Sequence, residues 1–289
     1  MDSLTHALAI SAVFAIAGQP ELIPFAALGA IAPDIDITFQ RFSDRDPRLY
    51  IFTHGGITHS IAGAIAVSLL VALIALPAAT LIGYSTPLLF AVAAIMTGAL
   101  SHILLDFLAY PGIPLLYPAT DKKFTIGIAA GPTPWLLVAS ITFGAFILTG
   151  RAGIENPWIY VGFFSLVIAM SGALKVYVSV RSGGSAIPGF NPLRWLIIEE
   201  SPCAYRVYAY HLLKGRQPAT DYKKYRDVPE AEVRRLMTFP EARRMRYHSY
   251  IVTASRAGNG IELSDPLRQN GYLWYPPYFK SLLIANAKH

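Results

Sequence analysis

Uncharged apolar runs near bilayer length constrain this chain more than any other feature. Crossing the hydrocarbon core takes roughly 20 apolar residues. Residues 57–76 and 88–108 reach that length, the second interrupted only by His102 and Asp106. Residues 158–180 also reach it, with Lys175 near enough to the end for its ammonium to snorkel out. Residues 133–150 are uncharged and marginal in length, giving three or four expected spans. Two shorter runs, 4–17 and 22–32, flank Gly18-Gln19-Pro20-Glu21 and read either as a tilted helical pair or as a re-entrant hairpin. Both readings return the chain to the side where it began.

Composition enters through its asymmetry. Only 15% of residues are charged, against ~25% in ordinary soluble domains. Residues 1–180 hold 7 Lys/Arg and 9 Asp/Glu, whereas residues 181–289 hold 17 and 9. The expected division is therefore 1–180, a membrane-embedded helical domain, and 181–289, a basic cytoplasmic domain. The single cysteine, Cys203, excludes an intrachain disulfide and a thiolate metal site. Met1-Asp2-Ser3 lacks the basic start of a cleavable signal, so the first apolar run is expected to stay in the mature protein. The excess of Lys/Arg after Arg181 sets the orientation. Counting back, 151–157 falls outside, Lys122-Lys123 inside, 77–87 outside and 34–56 inside; Arg151 is the one basic loop residue on the wrong side.

The tail reads as α+β. Residues 195–213 are rich in aromatic and β-branched types and broken by Ser201-Pro202. Residues 229–246 read as one helix with acids first and bases last. Residues 247–255 and 261–263, around Ala257-Gly258-Asn259-Gly260, read as a hairpin, and 278–285 is a last apolar run. The expected architecture is an all-α multi-pass membrane helical bundle with a small C-terminal α+β cytoplasmic domain.

Four of the seven histidines fall in the apolar part, each beside a carboxylate or another histidine: His6 after Asp2, His54 with His59, and His102 four residues before Asp106. Asp34 and Asp36 follow Pro33. Residues i and i+4 share a helix face, so His102 and Asp106 can serve one ion, with Gly98 and Ser101 letting another helix approach. The topology puts all these groups at one membrane face, from four places in the sequence. Plainer roles exist for several of them. Asp2 or Ser3 can cap a helix, Asp34 and Asp36 can be solvated at an interface, His54 can be a loop residue, and His59 can bond a backbone carbonyl. An Asp inside a span costs ~2.5–3.5 kcal/mol on insertion scales and marks a functional pairing. The expected metal ligands are His6, Asp34, Asp36, His54, His59, His102 and Asp106, with Asp36 or Asp34 as general base. Imidazole and carboxylate suit zinc first, then manganese or iron. So many ligands suit two or three ions, able to bind phosphate and activate water.

At these residues the chain resembles the YdjM family, described as LexA-binding, inner-membrane-associated metal-dependent hydrolases. The resemblance covers about residues 1–130. It lies in Met1-Asp2-Ser3-Leu4-Thr5-His6, the Gly-x-x-x-Pro-Asp-x-Asp of residues 29–36, His54-Gly55-Gly56-Ile57-Thr58-His59-Ser60, Ser101-His102-Ile103-Leu104-Leu105-Asp106, and Pro111-Gly112 through Pro118. Gly55 stands where the family commonly has Arg, and Ala109 where it often has Thr. Arg41, Arg45, Lys122 and Lys123 are the other cations available to a phosphate. The motif order is remotely similar to zinc-dependent phospholipase C and P1-type nucleases, implying phosphodiester hydrolysis.

Together these readings lead to a metal-dependent hydrolase of phosphoesters in lipid or amphiphilic substrates at the cytoplasmic face of the inner (plasma) membrane, with metal-activated water as nucleophile and membrane lipids as partners. A membrane-anchored binding or regulatory protein, whose basic tail recruits a cytosolic protein or anionic lipid, is the second reading. An ion or proton transporter is the third, disfavoured because the outer halves of the spans carry almost no polar residues. Nucleic acid is not expected as a partner, because the tail has no recognisable reading motif. No His-Glu-x-x-His occurs, which argues against an intramembrane metalloprotease.

Overall fold

In the computed structural model, which describes residues 1–154, 156–273 and 280–285, the first helix begins where Asp2 caps it. The Asp2 carboxylate accepts from the Thr5 N–H at 2.9 Å and from its hydroxyl at 2.7 Å. Helix α1 (Ser3–Ile16) is short, and Gly18 turns the chain with φ +68°. The next apolar run is longer than its sequence suggests. Helix α2 (Ile23–Ile31) continues through a 3-10 segment, Ala32–Thr38, into α3 (Gln40–Arg45), so that Pro20–Arg45 is one helical run of 26 residues. Pro33 does not end it, because proline is tolerated in the first turn of a helical segment.

Helices α4 (Ile61–Leu81), α5 (Leu88–Phe107) and α7 (Trp158–Ser182) are, with Pro20–Arg45, the four described helices long and apolar enough to cross a membrane. The marginal run 133–150 forms α6 (Pro134–Leu148), 15 residues between Pro134 and Gly150 and shorter than a span. A short parallel pair, β1 (Ala109–Tyr110) with β2 (Ala129–Ala130), closes the segment between α5 and α6. Large apolar side chains such as Leu73, Ile74, Leu89 and Ile159 point outward from these helices, as expected where the solvent is lipid.

The chain divides into two compact units: Met1–Gln40 with Ile51–Lys175, and Arg41–Tyr50 with Val176–His289. In the first unit the α2–α5 crossing matters most for the site. A Cβ on Gly29 would lie 1.9 Å from the Ile95 carbonyl, and one on Gly98 would lie 2.0 Å from the Ala26 carbonyl. The two backbones therefore touch, as small residues permit in membrane bundles. Ile10, Phe25, Ala26, Ala30, Ala94 and Ile95 fill the space around this crossing.

The second unit contains two sheets. One is β3 (Ser185–Pro188), β4 (Arg194–Glu200), β5 (Ala204–His211) and β6 (Gly215–Arg216) in that order, with β7 (Thr220–Lys223) also on β5. The other has β8 (Tyr225–Arg226), β9 (Thr253–Ala257), β10 (Gly260–Ser264) and β11 (Ser281–Ala285) in the order β11-β10-β9-β8. The expected single helix over 229–246 is two, α8 (Glu230–Leu236) and α9 (Pro240–His248), because Pro240 starts a new helix rather than continuing the old one. Helix α9 runs on to His248, so the first strand of the expected hairpin begins only at Thr253. Of the last apolar run, Tyr278 and Phe279 lie outside the described residues, while Ser281–Ala285 pairs with β10. A short helix, α10 (Pro266–Gln269), follows β10. The loop Arg41–Tyr50 is held here by α9: Arg244 pairs with Asp44 at 2.9 Å, Arg243 donates to the Tyr50 hydroxyl at 2.8 Å, and Tyr247 packs edge-on against Tyr50.

Candidate metal centre

All seven residues expected as ligands come together in the first unit. Three overlapping groups have ligand atoms close enough for an ion: His6, His102 and Asp106; Asp34, His59 and His102; and Asp36, His54 and His59. His6, His59, His102 and Asp36 are fully buried. Asp2 is not among them, because its carboxylate is occupied in capping α1.

The middle of the cluster is the tightest part. His59 Nε2 and His102 Nε2 lie 3.1 Å apart. Asp34 Oδ1 is 3.5 Å from each, and Asp106 Oδ2 is 3.5 Å from His59 and 3.4 Å from His102. Zinc–ligand bonds of 2.0–2.1 Å in a tetrahedron separate neighbouring ligand atoms by about 3.3–3.4 Å. The three separations among Asp34, His59 and His102, of 3.1, 3.5 and 3.5 Å, bracket that value.

The opposite nitrogens fix the ring protons. His102 Nδ1 lies 2.7 Å from the Ala30 carbonyl, which can only accept, so Nδ1 carries the hydrogen. The α2–α5 crossing at Gly29 and Gly98 brings that carbonyl within reach. His59 Nδ1 is 3.0 Å from Asp36 Oδ2 and donates to it. With both rings neutral, Nε2 of each is a bare acceptor, and the two face each other beside two carboxylate oxygens. Against the opposing effect of burial, the carboxylates of Asp34, Asp36 and Asp106 push the His59 pKa up to about 9, so these nitrogens sit in a site that attracts positive charge. Such acceptors repel one another unless a proton or a metal cation lies between them.

Asp36 is spent on orientation. Its Oδ1 meets His54 Nδ1 at 3.0 Å, and its Oδ2 also accepts from the Thr58 hydroxyl at 2.6 Å and the Gly55 N–H at 3.1 Å. Gly55 has φ +73°, a conformation that favours glycine and turns its N–H onto the carboxylate. Asp34 differs: Oδ2 accepts from the Ser3 hydroxyl, while Oδ1 is buried with no hydrogen-bond partner. Both nitrogens of His6 are likewise buried and unpartnered, its ring stacks on His102 with centroids 3.7 Å apart, and its Nε2 is 3.3 Å from Asp106 Oδ1. Asp106 thus presents one oxygen to His6 and the other to His59 and His102, the disposition of a carboxylate shared between two ions. The Met1 amino group also bonds Asp106.

The family model for YdjM inner membrane protein matches residues 1–178. The chain belongs to the YdjM family. No curated protein and no solved structure matches it. Every YdjM-region residue of the cluster, from His6 to Asp106, lies inside the match, and residues 179–289 lie outside it. The donor set fits a divalent ion, with orphaned acceptor atoms converging in a buried site and outer partners on both central imidazoles, as metal-bound histidines have. Reading the sequence alone missed the outer partners Thr58, Gly55 and the Ala30 carbonyl. Thr58 was visible inside the His/His motif; a backbone carbonyl gives no residue signal.

Proposed function

We propose that this YdjM-family protein is a metal-dependent hydrolase of phosphoester bonds in a membrane lipid or amphiphile, working at one face of the inner membrane. The convergence of His59 Nε2, His102 Nε2 and Asp34 Oδ1, with Asp106 Oδ2 beside the same two histidines, carries this reading. Asp34, His59 and His102 would hold one ion, most fittingly zinc, with manganese or iron next. His6, His102 and the other oxygen of Asp106 offer a second position. Such an ion supplies Lewis acidity toward a phosphoryl oxygen and lowers the pKa of water.

The protein's own groups divide the remaining work. Asp36 and the Ala30 carbonyl lock the central imidazoles in the tautomer that presents Nε2. Asp34 offers Oδ1 toward the ion position while Ser3 holds Oδ2, so of the two expected bases it is the one with an oxygen facing the ion and any water on it. Asp36, with both oxygens engaged, acts as a positioning residue. Burial of the cluster beside apolar helices favours a substrate that partitions into the bilayer. The basic C-terminal unit, placed on the cytoplasmic side by the positive-inside rule, supports the companion reading of a regulatory protein that recruits anionic lipid or a cytosolic partner.

Purified protein in phospholipid vesicles, given zinc or manganese, tests the enzymatic reading. The expected result is metal-dependent release of a phosphate-containing product from lipid or from a chromogenic phosphodiester, absent in Asp34→Ala. Metal bound at full stoichiometry with no turnover of lipids, diesters or monoesters would instead favour the regulatory reading.

A further inference from the structure

Three large apolar side chains stand exposed at one end of the first sheet of the C-terminal unit. Phe190 (48% exposed) and Leu193 (39%) lie in the turn between β3 and β4, and Leu213 (81%) lies in the turn between β5 and β6. The two turns are neighbours, since the Leu212 N–H donates to the Leu193 carbonyl at 2.9 Å. The first turn is also braced from within: Asn191 Oδ1 accepts from the Leu193 N–H, and the Trp195 indole donates to the Pro192 carbonyl, both at 2.9 Å. These apolar groups are therefore displayed by ordered backbone. Arg194 and Lys214, both exposed, sit beside them in the chain.

The direction of β5 indicates what they face. The Tyr208 hydroxyl donates to the Ser182 carbonyl at the end of α7, and the Tyr210 phenol lies close enough to that of Tyr177 to interact with it. From Tyr208 to Tyr210 is about 6.8 Å of strand, and from Ser182 back to Tyr177 about 7.5 Å of helix. Strand β5 thus runs backward along α7, toward its apolar stretch, and the two turns come next along that line. At the same level α7 exposes Val176, Tyr177 and Val180, with the Arg181 guanidinium over the Tyr177 ring at 5.7 Å. Aromatic and basic residues together at the end of an apolar helix mark the bilayer–water interface.

We propose that the turns 189–193 and 212–214 insert into the headgroup region of the bilayer that α7 enters. Phe190, Leu193 and Leu213 sit among the upper acyl chains, and Arg181, Arg194 and Lys214 meet anionic lipid phosphates. A bilayer is the occupant favoured by three observations: the sheet follows α7 by three residues, its turns point along the helix toward the apolar stretch, and the apolar tips are bordered by cations. The inference rests on α7 entering the membrane but is independent of the metal chemistry.

Nitroxide accessibility on the full chain tests it, in vesicles of phosphatidylglycerol and phosphatidylcholine. One label goes on the native Cys203, exposed in the β4–β5 turn at the other end of the same strands, roughly 25 Å away. In a Cys203→Ser background, single labels go on Phe190→Cys, Leu213→Cys and, within α7, Leu166→Cys. The expected result is high oxygen and low nickel-chelate collision at 166, 190 and 213, and the reverse at 203. Aqueous behaviour at 190 and 213 with lipid behaviour at 166 would overturn the proposal alone. Aqueous behaviour at 166 as well would overturn the spanning reading and the proposal with it. Protection from both reagents at 190 and 213 would mean that protein, not lipid, covers the tips, and would overturn it too.

Discussion

Among the described residues the protein buries charged groups in two places, and they are built on opposite logic. In the C-terminal unit, Asp265 and Arg268 are buried as a pair. Asp265 also accepts from the Leu267 and Arg268 N–H groups at the start of α10, and Arg268 donates further to the Ser249 hydroxyl and the His248 carbonyl. Donors and acceptors are matched, so the pair is complete in itself. The cluster of the first unit brings more acceptors than donors to its centre, and leaves Asp34 Oδ1 and both His6 nitrogens without a hydrogen-bond partner. A matched set of buried charges holds a fold together, while an unmatched set of one sign is built around something it binds.

Breaking each constellation should therefore give different signatures. Arg268→Ala strands a buried carboxylate and is expected to destabilise the C-terminal unit by roughly 3–5 kcal/mol, seen in thermal or denaturant unfolding, with metal content unchanged. His59→Ala removes a central ligand and should weaken metal binding by more than ~100-fold, beyond what loss of an outer partner does; competition with a chelating dye measures it. Asp36→Asn keeps the shape but loses the charge that orients His59 and His54, and should weaken metal binding ~10–100-fold. If Asp36→Asn proved as damaging as His59→Ala, Asp36 would be a direct ligand rather than an orienting group. Ser3→Ala, which removes one hydrogen bond to Asp34, is expected to weaken binding only a few-fold, on the scale of ~1 kcal/mol for such a bond.

The four sequence segments that carry the cluster were legible because their chemistry is written in residue types. A His and an Asp at i and i+4 in an otherwise apolar span, and a His/His motif beside two aspartates, leave few alternatives once topology places them together. The α2–α5 crossing was partly legible in Gly98, whereas its counterpart Gly29 shows its role only in contact with Ile95. The length of the Pro20–Arg45 run was not legible, because a 3-10 segment holding Pro33, Asp34 and Asp36 looks like a helix end in sequence. The split of α8 from α9 at Pro240 was available from the proline but outweighed by the end-to-end charge pattern. That α9 holds the loop Arg41–Tyr50 could not be read at all, since Asp44 and Arg244 are 200 residues apart and each resembles any surface charge.

The most direct test of the central claim is the metal content of the purified protein beside that of His102→Ala. The geometry predicts a divalent ion at one or more equivalents per chain in the first, with the equivalent held by Asp34, His59 and His102 lost in the second. A folded wild-type protein that takes up no zinc, manganese or iron on reconstitution would contradict it.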